Sequence, residues 1–388
     1  MVKLLKIKSR NRSTILFILL MPFSVVFAQT EWDFSGYIVD LPVYSDNIEF
    51  GFFRSDAQIT NISRLRLRPT AYFGKNARLA MEYEISGLYH QQNQLFTTSP
   101  GKTTRQFFDW RWQPVNDENV TISHFIDRLY WRQDFRFGNL TVGRQRVAWG
   151  SGRIWNPTDL FNPINPAAFD KIEKDGADLL TAQIYLGNFT DLTVVHNPQK
   201  LLRKNNAAAK FRTNYQTYDI SILGGYFDER IIFGGDFAGN LFTAGLRGEW
   251  IFSAQNDDFS NHFVKYIVGV DYQFSRRIYS LIEYQFNGEG ATSFAGYDFA
   301  SLADGRLINL NRNYLFSQTM IQLHDLVSSG IGWNGNLNDG SGFFALTMSY
   351  NYRPNLDLQC GGQLYYGQTF SEYGFYPTTL FGRVSWYF

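Results

Sequence analysis

Residues 379–388 read TLFGRVSWYF. Leu380, Gly382, Val384, Trp386 and Phe388 share one parity; Phe381, Arg383, Ser385 and Tyr387 share the other. A period of two is the period of a strand. The same period recurs upstream. Ala77, Leu79, Met81, Tyr83, Ile85 and Tyr89 oppose Arg78, Glu82, Glu84 and Ser86, and Ile282, Tyr284 and Phe286 oppose Glu283 and Gln285. Phe344, Leu346, Met348, Tyr350 and Tyr352 oppose Ala345, Thr347, Ser349 and Asn351. Phe, Trp and Tyr make up 18% of the chain, more than the outer face of a soluble β-sandwich carries. An apolar, aromatic face opposite a polar one fits a sheet with lipid outside and water inside. In lipid every backbone polar group needs a partner within the protein, so such a sheet must close.

The expected fold is therefore all-β: a transmembrane antiparallel barrel. Eighteen candidate strands lie between residues 33 and 388. The links GKN (74–76), GN (138–139), GN (187–188), SR (275–276) and RPN (353–355) are short turns that alternate with long links such as 90–121, 149–178 and 288–312. Short periplasmic turns and long outer loops are the rule for such barrels. With 18 strands all the short turns fall on one side, together with both termini. The runs 230–238 and 326–334 alternate least, and without them the count is 16. The last strand, ending on Phe388, resembles the closing strand of bacterial outer-membrane barrels, which assembly machinery reads.

The first 28 residues read as a signal peptide, with 29–388 as the barrel. Lys3, Lys6, Lys8, Arg10 and Arg12 precede the apolar run ILFILLMPFSVVFA, and Val26 and Ala28 are small residues before a cut. The chain has 36 Lys and Arg against 35 Asp and Glu. Removing those five basic residues leaves 31 against 35, about −4, which argues against a nucleic-acid partner.

One segment breaks the strand pattern. GRQRVAWGSGRIWNPTDLFNPINP (143–166) piles up Gly, Trp and three Asn-Pro pairs. Asn156 can cap a helical turn begun by Pro157, and Asn165 a second begun by Pro166 and stopped at Gly176. The segment is too apolar and too stiff for a free loop, so 149–178 is expected to fold inward, bearing short helices, and to narrow the lumen. The residues expected in this constriction are Trp149, Arg153, Trp155, Asn156, Asp159, Phe161, Asp170 and Asp178.

GRQRVAWG followed by NPTDLFNP resembles a motif of a loosely defined group of porin-like outer-membrane proteins, among them alginate-export-type barrels. The likeness covers about residues 140–180. It implies an outer-membrane, channel-like role and names no solute.

If the apolar parity faces lipid, Arg64, Arg66, Arg68, Arg78, Glu82, Glu84, Arg128, Arg132 and Arg136 line the pore. Arg144 and Arg146 share the parity of Leu140 and Val142, so they point inward only if the strand bulges. The inward charges can select small polar or anionic solutes by charge at close range. They can equally pin the inserted loop through Asp159, Asp170, Glu173, Asp175 and Asp178.

Nothing favours an enzyme or a cofactor. His90, His124, His196, His262 and His324 form no HExxH pair, there is no G-x-S-x-G, and Cys360 stands alone. DFSNH (258–262) and NLNDGSG (336–342) have Ca²⁺-type oxygens that ordinary loops share. The expected partners are outer-membrane lipid, the solute and the barrel-assembly machinery, with association of copies left open. The other reading is a closed barrel that binds or assembles partners through its outer loops.

Overall fold

The computed structural model describes residues 30–50, 53–91, 105–162, 173–303 and 307–388. The expected signal peptide lies outside the described residues. In chain order the strands begin with β1 (Thr30–Ser45), β2 (Ile48–Phe50), β3 (Phe53–Ser55), β4 (Gln58–Phe73), β5 (Ala77–His90), β6 (Arg111–Asn116) and β7 (Val120–Phe135). Then come β8 (Gly138–Gln145), β9 (Ala177–Tyr185), β10 (Asp191–Asn197), β11 (Asn206–Tyr215), β12 (Tyr218–Phe227), β13 (Arg230–Leu241) and β14 (Ala244–Gln255). The last are β15 (His262–Ser275), β16 (Ile278–Asn287), β17 (Asn313–His324), β18 (Val327–Asn336), β19 (Gly342–Arg353), β20 (Leu356–Tyr366) and β21 (Thr379–Tyr387).

Setting aside the β2–β3 hairpin and β6, 18 strands pair antiparallel with their neighbours, and β21 pairs with β1 to close the ring. The closure is finished by Gly36 and Phe388, whose backbones exchange hydrogen bonds at 2.9 and 3.1 Å. All 18 expected strands are present, including the two with the weakest alternation. The GN turn is displaced: Gly138 and Asn139 start β8, and the chain turns at 136–137. Gly138 is needed for approach, because a Cβ there would stand 2.0 Å from the Gln183 carbonyl oxygen of β9. Arg136, expected in the pore, consequently lies exposed in that turn.

The two faces of the wall are chemically opposite. Ile222, Phe233, Val268, Ile282, Ile331 and Leu346 are exposed on the outer face, and their sequence neighbours Leu223, Ile232, Ile267 and Leu281 are buried inside. Trp32, Phe137, Phe189, Tyr215, Phe242 and Phe274 are exposed near the short-turn end, as an interfacial aromatic girdle requires.

One place in the wall is unusual. β8 pairs with β7 only along Leu129–Phe135, because the chain leaves the sheet after Gln145 and turns inward. β6 occupies the vacated edge, pairing with the upper part of β7, while β5 holds the other edge throughout. The stretch 105–110 spans the remaining gap: Ile126 N–H donates to Trp110 O, and Asp178 N–H donates to Arg105 O. Part of what reads as an outer loop is thus wall.

Candidate functional site

The inward-turned segment crosses the inner wall from β9 to β17. Its apolar side chains fill two buried clusters. Trp149 and Phe161 pack with Leu179, Val195, Leu223 and Ile251. Trp155, fully buried, packs with Ile267, Leu281, Tyr314 and Tyr373. Burying each of these rings contributes roughly 2–3 kcal/mol.

Two carboxylates on the inner wall hold its backbone. Glu249 of β14 accepts hydrogen bonds from Ser151 N, Gly152 N and Thr158 N and from the Thr158 hydroxyl, at 2.5, 2.5, 3.1 and 2.8 Å. Glu283 of β16 accepts from Arg153 N, Ile154 N and Trp155 N, at 2.8, 3.1 and 2.8 Å. Consecutive N–H groups aimed at one anion form a nest, which satisfies carboxylates otherwise costly to bury. Gly150, at φ +98°, is required here, since a Cβ would stand 2.7 Å from a Glu249 oxygen.

These anchors replace the expected first helix. Asp159 N–H donates to Asn156 O and Leu160 N–H to Thr158 O, a tight turn with no helix. An N-cap side chain would take the N–H of N2 or N3; here Glu249 takes that of Thr158, and the amide of Asn156 turns to Gly152 O and Glu249, each 3.2 Å away. The expected second helix falls mainly on residues 163–172, which with Asp170 lie outside the described residues. Farther along, Asp159 is buried against the Lys174 ammonium. Burial pushes Asp159 up to about 6, against the pull of Lys174.

On the inner wall of β4, β5 and β7, where the insert ends, stands a charge cluster. Arg66, buried, donates to Glu82 from Nε and Nη2 (2.9 and 2.7 Å), to Glu84 from Nη1 (2.9 Å) and to Asp127 from Nη2. Arg64 lies 3.6 Å from Glu84. Arg128 reaches Glu82 at 2.8 Å and Glu173 at 3.0 Å, and Arg68 also pairs with Glu173. Asp127 enters through a bulge, where β7 gains one residue opposite Glu82 and Tyr83 of β5. The bulge changes the inward parity, so Asp127 and Arg128 both join the cluster. Asp127 also accepts the Gly176 N–H at 2.9 Å, which fixes the end of the insert.

The other expected residues scatter. Arg78 makes no ion pair among the described residues, and Arg132 bonds Asp134 two residues away at 2.9 Å. Arg153 is exposed. Asp178 is no loop residue: it stands in β9, where the Arg144 Nε and Nη2 donate to it at 2.8 and 3.1 Å. Arg144 also donates to Ile126 O and Phe108 O at the wall seam. Gly143, at φ +119°, bends β8 and lets Arg144 leave the parity of Leu140 and Val142. Arg144→Met strands a buried carboxylate, so we expect a loss of about 3–5 kcal/mol. Arg132→Met, breaking a half-exposed local pair, should cost less than about 1 kcal/mol. The temperature at which the folded band converts to the unfolded one on a detergent gel compares the two.

Sequence reasoning missed Glu249, Asp127 and the anchoring role of Glu283. A glutamate at inward parity in β14 and in β16 was the available signal for both. The bulge left none.

The loops opposite the short turns also meet around a buried acid. Glu372 accepts from Leu310 N, Tyr314 Oη and Asn336 Nδ2 at 2.9, 2.5 and 2.8 Å. Its own N–H donates to Asp339 at 2.8 Å. Burial, outweighing these donors and aided by Asp339, pushes Glu372 up to about 7. Between the ordinary 4.5 and about 7, the folded chain keeps a proton that the unfolded chain has lost. Stability should therefore fall as pH rises through that window, by about 3 kcal/mol in full. The conversion temperature measured from pH 5 to 8 should drop, and Glu372→Gln should remove this group's share of the drop, leaving that of other buried acids such as Asp159. Among the described residues no three His, Cys, Asp or Glu side chains gather as a metal site.

No family model and no curated protein matches the chain. A solved structure, OccD3 (OpdP) of Pseudomonas aeruginosa, superposes with a TM-score of 0.56 at 8% identity, over 92% of this chain and 91% of that one. The two chains share a fold. A triple mutant of the Rhodopseudomonas blastica porin aligns over 92% of this chain and 100% of its own, at 10% identity and a TM-score of 0.48. Salmonella typhi OmpF, in complex with daunomycin, aligns over 92% and 97%, at 10% identity and 0.44. At such identities the likeness is one of fold alone. The sequence segment resembling porin-like barrels has no counterpart in a family model.

Proposed function

We propose that the chain is a bacterial outer-membrane channel through which small hydrophilic solutes diffuse, with the segment 149–178 as its constriction. The observation that carries this reading is the insert seated on the inner wall by Glu249 and Glu283. It occupies the lumen of a barrel whose outer face is apolar and whose inner face is polar. A barrel of this strand number is wide enough for an aqueous lumen. Four inward guanidinium groups (Arg64, Arg66, Arg68, Arg128) face four carboxylates (Glu82, Glu84, Asp127, Glu173). Paired with one another on one wall, these charges leave little net charge, so size and hydrogen bonding select more than sign. No bond is made or broken and no cofactor takes part. Liposomes carrying the protein should swell in isotonic arabinose faster than empty ones, and more slowly as solute size grows. Swelling no faster than in empty liposomes would refute the reading.

A further inference from the structure

Beneath the insert, toward the short turns, lies a cavity of about 400 Å³. Its wall is the inward face of β12 to β16, and its lining includes Arg153, Asp219, Asn240, Arg247, Asp271 and Tyr279. Two formal positive and two formal negative charges balance in this lining. Arg247 is held twice: Nη2 and Nε donate to Asp271 at 2.5 and 3.2 Å, and Nη1 donates to Ser151 O of the insert at 2.9 Å. Asp219 accepts a hydrogen bond from Asn214 at 2.9 Å. The Arg153 guanidinium, carried by the insert, has no ion pair among the described residues. Gly245 keeps the floor open, since a Cβ there would stand 2.8 Å from both Asp271 oxygens.

We propose that this cavity binds an uncharged polyhydroxylated solute of saccharide size. The proposal rests on the channel reading and names the solute class held there. A lining dense in hydrogen-bond donors and acceptors, but neutral in sum, offers little to an ion. Vicinal hydroxyls suit it: each can donate to a carboxylate and accept from a guanidinium or amide. Tyr279 completes the lining and packs on the buried Trp155 cluster. The volume lies within the ordinary range of small-molecule sites. Because the insert supplies both Arg153 and the Ser151 carbonyl that orients Arg247, the constriction and the site are one assembly.

The test is equilibrium binding of maltose to the full-length barrel in detergent by calorimetry, beside single-channel recording of the same preparation. Saturable maltose binding is expected, with gluconate binding no more tightly. Gly245→Val pushes a side chain into the Asp271 carboxylate and should weaken maltose binding at least about tenfold. Asn240→Leu, at the exposed rim, should weaken it severalfold and guards against a folding defect in the first variant. A conducting barrel without saturable maltose binding overturns the site and leaves the channel. Gluconate binding much tighter than maltose overturns it too, since Arg153 alone would then be the reader. Maltose binding without conductance supports the site and sinks the channel reading.

Discussion

Deleting residues 150–176 should raise the single-channel conductance severalfold. The insert fills lumen space between β9 and β17, so its removal returns that space to water and ions. The deletion is tolerable on physical grounds. The two wall carboxylates that lose their N–H partners, Glu249 and Glu283, regain hydration in the widened lumen. The apolar patches that lose Phe161 and Trp155 are exposed to water inside a ring that 18 strands already close. The cost falls on those patches, on the order of the transfer energy of two aromatic side chains, and on the contacts that Glu173 and Gly176 make with Arg68, Arg128 and Asp127, and leaves the backbone ladder intact. A milder variant, Glu249→Leu with Glu283→Leu, frees the segment without removing it. It should give noisy, fluctuating conductance between the two levels. Planar-bilayer recording of the three proteins reads the effect directly, and equal conductance of the intact and shortened chains would contradict it.

Arg66→Ala should be among the most damaging single substitutions in the wall. One guanidinium serves Glu82, Glu84 and Asp127 by hydrogen bonds and stands 3.6 Å from Glu173. Asp127 and Glu84 are almost wholly buried, at 1% and 6% exposure, and water cannot replace what is lost. Breaking such a pair from one side costs about 3–5 kcal/mol, far more than the pair's own net worth. Arg66→Lys should recover only part, because an ammonium lacks the planar fork that meets several carboxylates at once. The conversion temperature on detergent gels should fall sharply for the alanine variant. Where the barrel still folds, reversal potentials in a salt gradient should shift toward cations, since four carboxylates then face fewer guanidinium groups. A pure loss of stability with unchanged selectivity would show that this cluster is structural and stands off the conducting path.

The strands were legible because lipid and water impose opposite demands on alternate residues, and Leu346 or Ile282 advertises its side at once. Turns were legible where Gly, Asn or Pro punctuate them. The Gly138–Asn139 pair misled: that glycine answers to a neighbouring strand's carbonyl and not to turn geometry. The inward course of the described part of the segment, 146–162, followed from its stiffness and apolarity. Its local form did not, because Glu249, some 90 residues away, takes the N–H that a helix cap would have used. Arg66 and its carboxylates were visible as inward parity. Asp127 was hidden by a bulge, and β6, with Pro114 in its middle, shows no alternation at all.

The most direct test of the central claim is a planar-bilayer recording of the intact barrel. The account predicts discrete, long-lived conductance steps, smaller than those of the chain lacking 150–176. Absence of steps from both proteins, under conditions where a known porin conducts, would contradict the channel reading outright.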